Sequence, residues 1–464
     1  MTGPRGPRGA GAAPTAAELR AWDDAHLWHP FTPHSVYRAE EPLQVVAGDG
    51  HYLIDTEGRR YLDGVGSLWC NLFGHRHPAI DAAVRAQLDR IAHSTLLGHA
   101  AVPAIVLARR LAALAPAGLT RVFFSDDGST AVEVALKLAL QFWQQHDGGR
   151  QRQRTRFVTL GQAYHGDTVG AVALGGIALF HERYQPLLFE TRQAPAPYCY
   201  RCPLGQARAT CQLDCIAALE ALVRAEGPNI AAIVLESGVL GAAGMLVQPE
   251  GFLRRARAVA DEVGALLVLD EVATGFGRSG RMFACESAGV APDLLCLAKG
   301  LTGGYLPMAA TLATERIFAA FLGPPAEGRT FFHGHTYTGN ALAAAAALAT
   351  LDIFERERVL DALPARIARL TQELARLAPL AAVGDIRQFG LAAGIELVQD
   401  RATRAPFPAA ERRGMRVCRA ARARGVFLRP LGDTIVLMPP LTITGDEITA
   451  LVDAIEHGIL EVCA

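Results

Sequence analysis

Lysine is almost absent from this sequence. Among its 45 basic residues only Lys137 and Lys299 are lysines, so arginine carries nearly all of the positive charge. Arginine can pair with carboxylates and phosphates, but its guanidinium stays protonated and cannot form a Schiff base. A desolvated lysine amine can attack a carbonyl. The scarcity therefore directs attention to Lys299, which follows the apolar run 294–297 and precedes a glycine-rich turn. We expect Lys137 to make structural contacts.

Other features that the sequence lacks exclude several classes of protein. No apolar stretch is long enough to span a bilayer, and no signal peptide is recognisable. The net charge of −1 gives no indication of a nucleic acid or an anionic membrane as a partner. Nine cysteines without a leader are typical of cytosolic thiols. We therefore expect a cytoplasmic protein.

The length and the hydrophobic content predict a large core. With 464 residues, of which 50% are hydrophobic, the chain is expected to form a large and a small domain. Residues 1–15 are rich in Gly, Pro, Ala and Arg and are predicted to be a disordered tail. We assign residues 16–75 and 341–464 to the small domain and residues 76–340 to the large one.

An acidic residue ends a predicted buried strand 29 positions before Lys299. The run 264–269 is apolar and stops at Asp270. It predicts a strand of a mostly parallel sheet in an α/β fold, and ligands bind at the carboxyl ends of such strands. A carboxylate there, with a Schiff-base lysine, fits pyridoxal phosphate, which needs an acid at its pyridine nitrogen. Lys299 and Asp270 are thus the first two predicted catalytic residues.

Three further predicted strand ends carry polar or aromatic residues. Gly128 and Ser129 open a helix and offer backbone N–H groups to a phosphate, although a serine there could simply cap the helix. Tyr164 follows the strand 156–160 and could stack on a pyridine ring, whereas its neighbour His165 is interpreted as structural. Glu236 ends another strand and could pair with an active-site arginine.

Two stretches together resemble a known family. They are Asp270-Glu-Val-Ala-Thr-Gly-Phe-Gly-Arg-Ser-Gly280 and Lys299-Gly-Leu-Thr-Gly-Gly304, and they resemble the class III aminotransferases of fold type I. The resemblance implies a pyridoxal phosphate enzyme, with a small domain built from both chain ends. It implies a homodimer with active sites at the interface. It also implies catalytic roles for Lys299, Asp270 and Tyr164, and we assign Val272 to the cofactor site.

The stretch 330–340 resembles the family's loop that crosses to the phosphate of the other subunit. Thr336 matches the phosphate contact, His335 joins the cofactor site, and Gly334 joins the substrate site. The alternative is a turn that caps the helix expected to begin near Asn340.

The substrate side of the site is also assigned by resemblance. The segment Leu27-Trp-His-Pro-Phe31 resembles family members that make 7,8-diaminononanoate, and Phe31 would line their pocket. Leu68 and Trp69 match positions that face the substrate. Arg429 matches the arginine that grips a substrate carboxylate, for which a bidentate fork is suited. Arg387 is a weaker candidate for the same task.

The reaction implied by the resemblance is transfer of an amino group to 8-amino-7-oxononanoate in biotin biosynthesis. The amino donor, S-adenosylmethionine or lysine, stays open because Leu68 and Phe31 replace the Trp and Tyr found in other members. Three alternatives remain. They are a transaminase for an ω-amino acid or polyamine, a racemase or aminomutase, and a non-catalytic binding protein.

Four cysteines form the pattern Cys199-x2-Cys202-x8-Cys211-x3-Cys215. Four thiols at short spacings could bind zinc. The pattern is unlike two clean Cys-x2-Cys pairs, and we expect plain thiols or an occasional disulfide instead. The predicted reaction needs no metal.

Overall fold

The computed structural model describes residues 14–40 and 42–463, so most of the predicted disordered tail lies outside it. The centre of the fold is a seven-stranded sheet in the order β4-β12-β11-β10-β7-β5-β6. Strand β12 runs antiparallel to both of its neighbours, while the pairs from β11 to β6 are parallel. The prediction of an α/β fold with a mostly parallel sheet is confirmed.

The strands have the following bounds: β1 (Val45–Asp49), β2 (Tyr52–Asp55), β3 (Arg60–Asp63), β4 (Leu119–Ser125), β5 (Arg156–Leu160), β6 (Arg192–Ala194), β7 (Ile230–Glu236), β8 (Val239–Leu240), β9 (Leu246–Val247), β10 (Leu266–Asp270), β11 (Leu294–Leu297), β12 (Ala309–Thr314), β13 (Val383–Phe389), β14 (Ala392–Leu397), β15 (Val426–Phe427), β16 (Arg429–Leu431) and β17 (Thr434–Leu437).

The helices have the following bounds: α1 (Ala16–His26), α2 (His34–Tyr37), α3 (Gly66–Trp69), α4 (Pro78–Leu88), α5 (Val102–Leu114), α6 (Gly128–Gln145), α7 (Val169–Leu174), α8 (Ala178–His181), α9 (Asp214–Glu226), α10 (Phe252–Val263), α11 (Glu315–Ala320), α12 (Ala341–Arg356), α13 (Val359–Ala375), α14 (Arg413–Ala423) and α15 (Gly445–Cys463). Short 3₁₀ turns connect several of them, including one at Lys299–Thr302.

The central strands are apolar on both faces because helices cover the sheet from both sides. Every residue of β7 and of β10 is buried. Along β10, Leu267 and Leu269 pack into one hydrophobic cluster, and Leu266 and Val268 pack into the other. A strand buried on both faces reads as a continuous apolar run, which is why the sequence predicted it correctly.

The register of these strands brings three chain segments to one edge of the sheet. Asp270 lies beside Glu236 on one side and Cys296 on the other. Lys299 follows the end of β11 after one further residue. The carboxyl ends of β7, β10 and β11 therefore deliver two acids and the lysine to the same place.

Two smaller sheets flank this core. In the first, β1, β2 and β3 are joined by β15, which pairs with β3 in parallel. The strands β2 and β3 form an antiparallel hairpin. The second sheet has the order β13-β14-β17-β16. The contact between β3 and β15 supports our proposal that both chain ends contribute to the small domain.

Among the described residues, no helix combines the length and the apolar character that crossing a membrane would need.

Glu271 shows how alternation at the end of a strand separates two adjacent acids. Asp270 lines the active-site cavity, whereas the fully buried Glu271 accepts hydrogen bonds from the N–H groups of Ala284 and Cys285, each at 2.7 Å.

We predict that Glu271→Ala lowers the free energy of unfolding by about 2–4 kcal/mol, because two buried N–H groups lose their acceptor. Urea unfolding measures this loss. The exposed Glu250→Ala is the control, and equal unfolding midpoints for the two variants would contradict the prediction.

Candidate active site

An open cavity of about 470 Å³ lies at the carboxyl edge of the central sheet. Eight of the residues predicted from the sequence line it: Leu68, Trp69, Gly128, Ser129, Tyr164, Asp270, Val272 and Lys299. They come from five separate regions of the chain, and the fold brings them together.

Lys299 stands in a 3₁₀ turn after β11, and its Nζ lies 5.3 Å from the centroid of the Trp69 ring. Burial lowers the pKa of the Lys299 amine, and the nearby carboxylates of Asp270 and Glu236 partly offset this effect. A lowered pKa increases the fraction of neutral amine, which is the form that attacks a carbonyl.

Asp270 is held in place by two contacts. Its Oδ2 lies 2.7 Å from His165 Nδ1, and its Oδ1 accepts a hydrogen bond from the N–H of Val272 at 2.9 Å. Burial alone would lower the pKa of His165, but the hydrogen bond and the charge of Asp270 raise it. His165, interpreted as structural from the sequence, thus orients the carboxylate that faces the cavity.

Glu236 is a second buried acid in the cavity lining. Its carboxylate accepts hydrogen bonds from the N–H of Tyr164 at 3.1 Å and the N–H of Gly241 at 2.9 Å. Burial, followed by the charge of Asp270, raises the pKa of Glu236 to about 7 against the opposing effect of His165. No arginine pairs with Glu236 among the described residues, so its pairing with an active-site arginine stays a prediction.

Tyr164 connects the cavity to the N-terminal segment. Its hydroxyl donates to Asp167 Oδ2 at 2.7 Å, and its ring meets the edge of Phe180 at 6.2 Å. Phe180 in turn packs edge-on against Phe31 at 5.2 Å. Phe31 lies outside the cavity lining and reaches the site through Phe180.

The first turn of α6 offers an anion site. Asp127 is its N-cap and accepts a hydrogen bond from the N–H of Thr130 at 2.9 Å, so Ser129 is not needed as a cap. The N–H groups of Gly128 and Ser129 have no hydrogen-bond partner in the described part of the chain. A Cβ at Gly128 would stand 2.5 Å from Val272 Cγ1, so this position requires glycine.

Trp69 reaches the cavity because α3 is a left-handed turn. Ser67, Leu68 and Trp69 have φ of 48°, 71° and 74°. Such a conformation costs an L-residue about 1–2 kcal/mol. The buried Asp63 compensates by accepting from the N–H of Ser67 at 3.1 Å and from its Oγ at 2.7 Å. No local pattern in the sequence predicts a left-handed run of non-glycine residues, and the role of Asp63 was missed.

The loop 330–340 lies beside the cavity without lining it. His335 Nδ1 is 2.9 Å from Oδ2 of Asp126, which is a lining residue, and His93 Nε2 donates to the carbonyl of Thr336 at 2.9 Å. Gly334 and Thr336 are exposed. The helix α12 is capped by Asn340 itself, which accepts from the N–H of Ala343, so Thr336 does not serve as its cap.

The two candidate arginines have different surroundings. Arg429 is exposed at the start of β16 and lies outside the cavity lining. Arg387 is buried and donates to Glu396 at 2.6 Å, to Asp385 at 2.8 Å and to the carbonyl of Gly244. These contacts commit Arg387 to the fold, so it is no longer a candidate for a substrate carboxylate.

The class of this protein follows from its fold and from a family comparison. A family model described as Aminotransferase class-III matches residues 35–459. The chain belongs to the class III aminotransferases.

Individual relatives and solved structures show which members of the family this chain is similar to. The chain is 58% identical over 451 residues to adenosylmethionine-8-amino-7-oxononanoate aminotransferase of Nitratidesulfovibrio vulgaris, covering 97% of this chain and 83% of the relative. The crystal structure of the enzyme of that name from Methanocaldococcus jannaschii matches with a TM-score of 0.91 and 43% identity, over 96% and 99% of the two chains. An (S)-enantioselective omega-transaminase from Thermomicrobium roseum matches with a TM-score of 0.92 and 37% identity, over 98% and 100%.

The raised pKa of Glu236 predicts how the stability of the folded protein depends on pH. Its pKa rises from 4.5 to about 7 on folding, so between these values the folded protein holds a proton that the unfolded chain has released. The stability of the cofactor-free protein should therefore fall as the pH rises through this window, with the full cost reached above it. In Glu236→Gln this contribution should vanish. Urea unfolding across the pH range measures it, with the exposed Glu250→Gln as control. Parallel profiles for Glu236→Gln and wild type would refute the assignment.

Proposed function

We propose that this protein is the aminotransferase that converts 8-amino-7-oxononanoate to 7,8-diaminononanoate in biotin biosynthesis. The observation that carries the proposal is the convergence of Lys299, Asp270 and the open N-terminus of α6 in one cavity. The relatives from N. vulgaris and M. jannaschii bear the name of this reaction and match almost the whole chain.

The cofactor is pyridoxal phosphate, and the side chains of the cavity fit it. An amine, a fixed carboxylate, two free N–H groups at a helix N-terminus and the aromatic Tyr164 are its usual partners. Thr274 adds a buried hydroxyl to the lining, and this hydroxyl has no hydrogen-bond partner among the described residues. When bound, the cofactor supplies an aldehyde for a lysine amine and a ring that accepts electron density from the substrate carbon.

The residues that line the cavity have separate roles in the proposed reaction. Lys299 would hold the cofactor through its amine, and the same amine would carry a proton to and from the substrate carbon. Asp270, oriented by His165 and by the N–H of Val272, stabilises a protonated ring nitrogen. Gly128 and Ser129 hold the phosphate through their N–H groups at the positive end of the α6 dipole.

The mouth of the cavity suits an apolar chain with a carboxylate at its end. Leu68 and Trp69 line the cavity, and Phe31 stands behind Phe180 at its border. We assign the carboxylate of 8-amino-7-oxononanoate to Arg429. This arginine belongs to the sheet whose β17 residue Val436 packs in one cluster with Trp69.

We propose a homodimer with active sites at the interface. In the loop 330–340, the side chains of Phe332 and Tyr337 are 81% and 61% exposed. Large apolar side chains exposed together on one loop are what a subunit interface would cover. Thr336 lies between them on the same loop and could bind the phosphate in a second subunit. The nine free cysteines support a cytoplasmic location.

The amino donor is S-adenosylmethionine or lysine in our proposal. Leu68 is 52% exposed at the mouth, so it leaves more room there than a tryptophan would. The test is a set of single half-reactions, in which each donor is mixed with the holoenzyme and loss of the cofactor's absorbance band is followed. A donor that leaves the band unchanged is excluded.

A second candidate function is transfer to another amine or ketone, which the similarity to the T. roseum omega-transaminase favours. A panel of ketone acceptors decides between the two. Preference for 8-amino-7-oxononanoate by kcat/KM supports the proposal, and preference for a simple ketone overturns it. Turnover that needs no external donor would indicate a racemase or aminomutase, and failure of borohydride trapping at Lys299 would indicate a binding protein.

Lys299→Ala is expected to keep the fold and to lose turnover by about a thousandfold or more. Lys299→Arg should be no better, because the guanidinium supplies charge but no nucleophile. Lys137→Arg is the matched control, since Lys137 contacts His333 Nδ1 at 2.9 Å and should tolerate another cation. Steady-state kinetics measures all three. Turnover in Lys299→Arg near that of the control would contradict the assignment.

Asp270→Asn should still bind the cofactor, but the donor half-reaction should slow by about 10²–10³-fold. A neutral amide cannot stabilise a protonated ring nitrogen. Stopped-flow absorbance measures the half-reaction, and a titration with cofactor measures binding separately. A half-reaction at the wild-type rate would show that Asp270 is structural.

Arg429→Ala should weaken the ketone half-reaction by about ten- to a hundredfold in kcat/KM, because a charge-assisted pair is lost. Arg429→Lys should recover part of the loss, since an ammonium cannot make two parallel hydrogen bonds. The exposed Arg254→Ala controls for loss of charge in an arginine-rich chain. If single-turnover kinetics of Arg429→Ala match those of the control, the carboxylate is bound elsewhere.

A further inference from the structure

Three cysteines of the loop between β6 and α9, and a fourth in the first turn of α9, lie away from the active site. None of them lines the active-site cavity. Cys199, Cys202, Cys211 and Cys215 instead all line one small, separate cavity of about 20 Å³. That volume accommodates a single atom-sized occupant and no organic ligand. The four thiols therefore share a space of the size of one ion.

The backbone of the loop folds back on itself so that distant thiols converge. The carbonyl of Cys202 accepts a hydrogen bond from the N–H of Gly205 at 3.0 Å, and the N–H of Cys211 donates to the carbonyl of Ala207 at 2.9 Å. Leu213 then turns left-handed, with φ of 64°, at the start of α9. These turns bring the second pair of cysteines back toward the first.

Cys215 is buried in the first turn of the 13-residue helix α9. The thiolate is the form of cysteine that binds metals, and burial raises the pKa of the Cys215 thiol, so the entering metal has to displace its proton. Four thiolates in a tetrahedral arrangement are typical of structural zinc.

We propose that these four cysteines bind one structural Zn²⁺ ion as thiolates, releasing their protons as the metal enters. Among the described residues, no three metal-ligating side chains are already spaced as a ligand set, so the proposal requires the four thiols to turn into the cavity that they share. This inference does not depend on the proposed reaction.

The structure also indicates what the metal stabilises. The segment beside Cys199 and Cys202 docks onto β14, where Tyr198 and Arg201 both donate hydrogen bonds to Glu396, the latter at 2.6 Å. Glu396 also pairs with Arg387. Its sheet is the one that carries Arg429. Zinc would fix the loop that attaches this sheet to the large sheet.

The first test is metal analysis of protein purified without chelator from zinc-supplemented medium. We expect about one zinc per chain in the wild type and near none in Cys202→Ser and Cys211→Ser. Cys463→Ser is the matched control, since Cys463 is a partly buried free thiol in α15, and it should keep its zinc.

The second test measures thermal stability, and its main comparison is the wild type with and without a chelator. A strong chelator should lower the thermal midpoint of the wild type and of Cys463→Ser, and leave that of Cys202→Ser unchanged. It should also speed tryptic cleavage after the exposed Arg208 severalfold, because loop tips without restraint are cut first.

A third test uses only the wild type, so it remains valid if the cysteine variants do not fold. Co²⁺ added to chelator-treated wild type should give the visible absorption of tetrahedral thiolate coordination, and Zn²⁺ should displace it. The proposal is overturned if the wild type is metal-free and takes up no Co²⁺. It is also overturned if mass spectrometry finds disulfides among the four thiols, or if the protein carries iron and sulfide instead.

Discussion

The chemistry of this enzyme depends on the register of β7, β10 and β11. Because these strands are parallel and aligned, Glu236 and Asp270 lie at the same edge of the sheet. Lys299 lies at this edge too, in the 3₁₀ turn that follows β11. A shift of one residue would turn Asp270 away from the cavity and Glu271 toward it. The two hydrophobic clusters on either face of the sheet prevent such a shift, because it would exchange the residues buried in each.

The buried acids are kept distinct by what each one contacts. Asp270 is held by His165 Nδ1 and by the N–H of Val272. Glu236 accepts hydrogen bonds from the N–H groups of Tyr164 and Gly241, which lower its pKa, but burial outweighs them and raises the pKa to about 7. A carboxyl group that takes up a proton near neutrality limits the repulsion at a sheet edge that two acids share.

The sequence predicted the parts of the site that depend on a short stretch of chain. The strand before Asp270, the glycine-rich turn after Lys299 and the helix start at Gly128 are all local patterns, and the structure brings them together. Partners across the fold are what the sequence does not predict. Arg387 and Glu236 are possible active-site charges by sequence, but the groups that they contact are set by tertiary structure, which no local pattern reveals. Arginine is so abundant here that its presence alone predicts little.

The left-handed turn at Gly66–Trp69 has a consequence for how such a site can evolve. Asp63 stabilises the turn through the backbone and hydroxyl of Ser67, not through the side chain of Leu68. Most L-residues pay a similar conformational cost in this region, so exchanging Leu68 for a larger or smaller residue leaves the balance nearly unchanged. The residue at position 68, and with it the shape of the cavity mouth, can thus change during evolution while the left-handed turn that positions it is kept.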